Sequence, residues 1–126
     1  YFDLNSFYLL DAEQSVCTFS EANAWFQVEL IYGVAIITGF RLKRDNETKL
    51  RKYKIIATDD SRKPKSSWTT LFEINEKKKD ENDLLHLFEL KEPSPPVKFI
   101  RVISEHCWDD SDYCQIRHFD FFGSYF

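Results

Sequence analysis

Most hydrophobic positions in this chain follow the two-residue period of β-strands rather than the period of a helix. Residues 25–30 alternate apolar and polar side chains, and residues 34–42 form a β-branched run that ends in alternation. Turn-forming stretches such as 59–61 and 93–96 separate the segments. The predicted strands are 25–30, 34–42, 52–58, 68–74, 84–90, 97–103 and 115–122.

Strands at such intervals predict an all-β fold, an antiparallel β-sandwich of the jelly-roll type. The only helical pattern is short, near residues 9–15. A chain of 126 residues can bury a sizeable core, so we expect 1–126 to be a single domain. It begins at Tyr1 and contains no Met, which suggests a domain cut from a longer protein. The side chains expected to be largely buried are Trp25, Val28, Ile36, Tyr53, Ile55, Leu71, Ile100, Val102 and Phe121.

Composition and charge exclude several classes of protein. Aromatic residues make up 17% of the chain, which argues against disorder. The longest run without a charge, Leu30–Phe40, is too short to span a bilayer. A net charge of −4 argues against a general nucleic-acid binder. Charge is uneven, because residues 41–54 carry a basic surplus and residues 105–120 an acidic one.

Six short motifs, taken in order, resemble the discoidin family, also called coagulation factor 5/8 type C domains. Residues 25–30 (WFQVEL) are similar to the family's W-x-Q-V-D-L strand, and 37–40 (ITGF) to its V-T-G-I strand. The remaining matches are 52–55 for K-S-Y-K-I, 59–61 with Trp68 for S-x-D-G-x-x-W, 99–102 for R-Y-I-R-I, and 116–123 for L-R-x-E-F-x-G. The resemblance covers about residues 16–124 and implies a galactose-binding-like jelly roll of two antiparallel sheets.

The resemblance also implies where ligands bind and where the protein resides. Extracellular members usually carry a Cys after the final Gly, where this chain has Ser124. The closer likeness is to intracellular members, so we expect a cytoplasmic location and reduced cysteines. The family's ligand-binding loops correspond to residues 18–23, 43–48 and 106–113, at one end of the sandwich.

The densest polar cluster is 106–114, with Arg117 and His118 beyond it. Zinc on Cys107, Cys114 and His118 remains an alternative, although the spacing is not that of a usual zinc site. Calcium on the aspartates of 109–112 is another, without the Gly of an EF-hand loop. A Cys107–Cys114 disulfide across a hairpin loop is a third alternative. None of the three is adopted, and no cofactor is expected. No nucleophile motif or phosphate loop is present, so we do not expect an enzyme.

These observations predict a non-catalytic module that binds another protein within a larger polypeptide, with carbohydrate binding as the alternative. Membrane binding is not favoured, because the 43–48 loop is wholly polar. The isolated domain is expected to be a monomer. Trp108 has two options: to turn inward as a plug, or to stand exposed as an interface anchor. The predicted binding residues are Arg44, Asp45, Asn46, Glu47, His106, Trp108, Asp109 and Arg117.

Overall fold

The computed structural model describes residues 17–19, 24–30, 33–44, 50–77, 85–108 and 114–125. The predicted helix near residues 9–15 lies outside these ranges. Within them the chain forms strands joined by loops and one turn of 3₁₀ helix at Lys65–Ser67. The strands are β1 (Cys17–Phe19), β2 (Trp25–Glu29), β3 (Ala35–Arg44), β4 (Leu50–Thr58), β5 (Thr69–Asn75), β6 (Leu85–Glu89), β7 (Phe99–Cys107) and β8 (Cys114–Tyr125). No helix among these residues is long and apolar enough to cross a membrane.

The strands form two four-stranded sheets in which every neighbouring pair is antiparallel. The first sheet has the order β1-β8-β3-β6 and the second the order β2-β7-β4-β5. The all-β antiparallel sandwich predicted from the sequence is confirmed. All seven predicted strands are present, and β1 is an additional short strand that the pattern did not reveal. Strands β3, β4, β7 and β8 also extend further than predicted.

The core lies between the inner faces of the two sheets and is rich in aromatic rings. The Phe72 ring centroid lies 4.9 Å from that of Phe40 and 4.5 Å from that of Phe88, so the rings link β3, β5 and β6. Edge and tilted contacts of this kind add to the free energy gained by removing the rings from water. Five residues predicted to be core are fully buried, namely Tyr53, Ile55, Ile100, Val102 and Phe121. Val28, Ile36 and Leu71 are half-buried.

The prediction that Trp25 is largely buried is wrong, because its ring lies on the outer face of the second sheet. Trp25 is 46% exposed, and the guanidinium carbon of Arg101 lies 3.7 Å from its ring centroid. The same guanidinium carbon lies 4.6 Å from the ring centroid of Trp68. The Arg101 Nε and Nη2 groups both donate to Gln27 Oε1. A cation between two aromatic faces is stabilised by both rings, which accounts for a tryptophan held at the surface.

A close backbone approach explains the glycine near the end of β8. A Cβ atom at Gly123 would lie 2.1 Å from the carbonyl oxygen of Ile36 on β3. Gly123 pairs with Ile37 beside a register shift in the β3–β8 ladder. Because the obstructing atom belongs to the backbone, a side chain can be accommodated only if the two strands separate.

Gly123→Ala should therefore destabilise the domain by about 2–4 kcal/mol, since overpacking against backbone cannot be relieved by a rotamer change. The free energy of unfolding is measured by urea denaturation. Ser124→Ala, one residue along the same strand, is the control and should change it by less than about 0.5 kcal/mol. Equal stabilities for the two variants would contradict the packing described.

Candidate functional site

The strand directions bring the predicted binding loops to one end of the sandwich. Strand β3 ends at Arg44 and β4 begins at Leu50, which pairs with Cys107 at the end of β7. Strand β8 begins on the same side, because Ile116 pairs with Arg44. The connections 45–49 and 108–113 therefore leave from one end of the two sheets, which we call the loop end.

Several of the predicted site residues fall where the structure is not described. Asp45, Asn46, Glu47 and Asp109 lie outside the described ranges, as does the side chain of Arg117. Their assignment to a binding site stays a prediction. Arg44, His106 and Trp108 are described, and they occupy different environments.

Arg44 lies inside the protein rather than on its surface. Its side chain is fully buried, and Nη1 donates to the carbonyl oxygen of Leu50 at 2.8 Å. The same nitrogen donates to Glu76 Oε1. Arg44 thus joins the end of β3 to the start of β4 and to the residue after β5. In this geometry it supports the loop end from within.

Glu76 is the centre of a buried polar network. Besides Arg44, its Oε1 accepts a hydrogen bond from the indole Nε1 of Trp108 at 3.0 Å. The Nε2 atom of buried His86 lies 3.7 Å from the other carboxylate oxygen. His86 Nδ1 lies 2.5 Å from the hydroxyl oxygen of Tyr53. The network therefore connects side chains at or near the ends of β3, β4, β5, β6 and β7 around one carboxylate.

Trp108 adopts neither of its two predicted arrangements completely. Its side chain is partly buried, and the indole N–H is fixed by Glu76. The guanidinium carbon of Arg51 lies 5.6 Å from its ring centroid. The neighbouring His106 is exposed on β7. The loop end therefore presents a fixed aromatic ring with an arginine beside it and an exposed imidazole nearby.

The sequence pattern did not indicate that Glu76, His86, Tyr53 or Arg51 belongs to this end. For His86 a signal was present: it takes an inward-facing position of the alternating segment 84–90, with Phe88 and Leu90. A buried imidazole needs a hydrogen-bond partner. Glu76 gives no such signal, because it follows its strand directly and precedes a lysine run typical of an exposed loop.

The expectation that all cysteines are reduced is wrong for Cys107, which is disulfide-bonded. The other cysteines of the chain are Cys17 and Cys114, whose side chains lie outside the described part. The expectation rested on an odd cysteine count and on Ser124 replacing a terminal Cys, and neither excludes one internal bridge. Cys107 in a disulfide is not a thiolate ligand, so it does not fit the zinc alternative. Among the described residues, no three His, Cys, Asp or Glu side chains form a metal-binding group.

Hydrogen bonding and charge together determine the ionisation of Glu76. Burial by itself would raise the pKa of this carboxyl group. The hydrogen bonds from Arg44 and Trp108, with the positive charge of Arg44, outweigh burial and hold the pKa below its ordinary value. A carboxylate with a lowered folded-state pKa stabilises the fold above its unfolded pKa, and this contribution is lost as the pH falls through the folded value.

Glu76→Gln should destabilise the domain at pH 7 by about 3–5 kcal/mol, because it removes a carboxylate that pairs with the buried charge of Arg44. The stability of the wild type should decline as the pH falls below 4.5, the ordinary pKa of glutamate, and the stability of the variant should decline less steeply over the same range. Urea unfolding at a series of pH values measures both effects. Glu105→Gln is the matched control, since its pair with Lys52 at 3.6 Å is partly exposed and should contribute less than about 1 kcal/mol. A pH profile of Glu76→Gln parallel to that of the wild type would contradict this account.

Thiol counting under denaturing, non-reducing conditions should give one free thiol per chain, because two of the three cysteines are consumed by a single disulfide. Peptide mapping then identifies the partner of Cys107. Three free thiols in freshly purified protein would contradict the bridge.

The fold resembles solved carbohydrate-binding and factor 5/8 type C domains. A chitosan-binding module from Paenibacillus sp. IK-5 has a TM-score of 0.66 at 16% identity, covering 86% of this chain and 76% of that one. The CBM32-1 domain of a family 31 glycoside hydrolase from Clostridium perfringens has a TM-score of 0.68 at 11% identity, covering 88% and 78%. An F5/8 type C domain from Bacteroides fragilis has a TM-score of 0.57 at 17% identity, covering 82% and 67%.

These likenesses confirm the discoidin-like, galactose-binding-like fold expected from the motifs. A sequence comparison with curated proteins gives no significant match. The sequence profile of one family, described as Sad1 / UNC-like C-terminal, matches residues 4–125. Since this range is nearly the whole chain, the protein belongs to the Sad1/UNC-like C-terminal family.

Proposed function

We propose that this domain is a non-catalytic module that binds a protein partner through its loop end. The observation that carries the proposal is the arrangement of Trp108. Its ring remains partly exposed while its N–H is held by the largely buried Glu76, and Arg51 lies beside it. Tryptophan and arginine are enriched among residues that dominate binding energy at interfaces. A ring already fixed in place loses little conformational entropy on binding.

The charge around this ring also favours a protein partner over a uniformly anionic surface. Basic residues are concentrated in 41–54 and acidic residues in 105–120, and both segments reach the loop end. Lys52 and Glu105, from the two segments, form an ion pair at 3.6 Å. A surface of mixed sign selects a partner with complementary charges in one orientation.

Carbohydrate binding is the second candidate, and it is supported by the fold neighbours. These neighbours include a chitosan-binding module, a pectin-binding module, and a CBM32 domain in complex with 4,5-unsaturated mannuronic acid. An aromatic ring flanked by hydrogen-bond donors suits a sugar as well as a protein. The two candidates share the loop end and differ in the ligand that it takes.

His106→Glu should weaken partner binding strongly, since it places a negative charge at an exposed position two residues before Trp108 and outside the polar network around Glu76. Affinity capture with quantitative mass spectrometry compares the wild-type domain with this variant and with Arg62→Glu. Arg62 lies in the β4–β5 connection, away from the loop end, and its side chain is 89% exposed. A true partner is retained by the wild type and by Arg62→Glu and is lost from His106→Glu.

Calorimetry with the purified partner should then show a loss of at least about tenfold in affinity for His106→Glu. A glycan array with the same three proteins tests the second candidate. Saturable glycan binding that is sensitive to His106→Glu, without a captured protein, would replace the protein partner with a sugar. A partner that binds all three proteins equally would contradict the assignment of the loop end.

A further inference from the structure

Strand β6 forms one edge of the first sheet, and two hydrophobic side chains are exposed on it. Leu85 is 50% exposed and Leu87 is 53% exposed, on the same outer face of the strand. The other large hydrophobic residue exposed in the described part is Trp25, which lies against Arg101. Edge strands usually carry lysine, proline or a bulge that prevents pairing with another chain. Two exposed leucines at such an edge favour a docking surface.

The main-chain groups of this edge are oriented for pairing. The Leu90 N–H donates to the carbonyl oxygen of Thr38 at 2.9 Å, and Glu89 pairs with Gly39 in regular antiparallel register. Because hydrogen-bonding direction alternates along an antiparallel strand, the main-chain groups of His86 and Phe88 face β3. Those of Leu85, Leu87 and Glu89 face outwards, away from the described strands.

A groove runs beside this edge and offers space for alternate side chains of an added strand. Strand β5 is the edge of the second sheet on the same side, and the two edges line a groove of about 610 Å³. The rings of Phe72 and Phe88 line it, with centroids 4.5 Å apart. Leu71 and Leu90 contribute further apolar surface. A strand paired with β6 would direct every second side chain towards this surface.

We propose that β6 and this groove bind an extended segment of a partner protein, which adds a fifth strand to the first sheet. The charges along the edge specify the segment. The exposed Lys43 pairs with Leu85 across the strands at one end, while Glu89 and Glu92 line the groove at the other. Lys91 offsets one of these two negative charges. The segment is apolar at alternate positions, acidic at the Leu85 end and basic at the Glu89 end.

A second copy of this chain fits the edge less well than a peptide does. Two β6 strands of five residues each, paired edge to edge, bury far less than the roughly 1,200 Å² typical of a specific protein–protein interface. A peptide strand can bind with a smaller buried area, because main-chain hydrogen bonds and side-chain pockets supply its binding energy. Strand β6 adjoins the loop end at Leu85, but the groove lies further along the sandwich, and the proposal does not depend on the function proposed above.

The test uses labelled peptides of about seven residues, enough to span β6. They alternate valine and threonine, with aspartate at one terminus and lysine at the other, in both chain directions. Fluorescence anisotropy measures binding, and NMR amide hydrogen exchange locates it on the wild-type domain. The expected result is binding of one direction, with new protection of the Leu85, Leu87 and Glu89 amides. The amides of His86 and Phe88 should change little, because β3 already protects them.

Leu87→Lys should weaken the peptide at least about tenfold, since it removes apolar contact and adds a protective edge charge. Asn75→Lys is the control, because it adds the same charge at an exposed position of β5 outside the groove lining. Thermal denaturation verifies that both variants fold, and Leu85→Lys replaces Leu87→Lys if the latter does not. A matching peptide with N-methylated main-chain amides should fail to bind.

Three results would overturn the proposal. The first is the absence of binding by peptides of either direction. The second is binding without the alternating protection in β6, or with equal affinity for Leu87→Lys. The third is concentration-dependent self-association of the wild type that Leu87→Lys abolishes, which would make a second copy the occupant of the edge.

Discussion

A carboxylate inside a β-sandwich must be paired, and the loop end of this molecule is built around the one at Glu76. An unpaired buried charge would cost several kcal/mol. Arg44, Trp108 and His86 approach it from three different strand ends. Among the described strands no backbone ladder joins the two sheets at the loop end, so these side-chain contacts hold their ends together there. The loops at this end therefore begin from fixed positions.

This pairing changes the meaning of residues that looked alike in the sequence. Arg44 and Trp108 were both predicted to be binding residues, yet the first is enclosed, and the second has a fixed indole nitrogen and a partly exposed ring. A residue in such a position couples recognition to stability, since the same indole contacts the network and faces the solvent. Loops on a rigid sandwich can vary in chemistry without disturbing the core, but their anchor residues cannot.

The sandwich was predictable because alternation and turn residues are local properties, and Tyr53, Ile100 and Phe121 are buried as their strand positions require. The motifs similar to the discoidin family supplied the topology. Side-chain partners were not predictable in the same way. Arg101 reaches Trp25 from another strand, and Glu76 is 32 residues from both Arg44 and Trp108. The alternation of hydrophobic and polar residues contains no information about contacts between distant residues. The exposure of Trp25 and the burial of Arg44 could therefore be seen only in the folded structure.

The position of β8 has a consequence for biosynthesis. The last strand along the chain lies inside the first sheet, paired with β1 on one side and β3 on the other. Its partners in β3 precede it by about 80 residues, a separation that makes pairing slow. During translation the first sheet cannot close until residues 114–125 have left the ribosome. Until then the apolar faces of β3 and β6 lack this partner strand, which exposes the incomplete domain to aggregation in that interval.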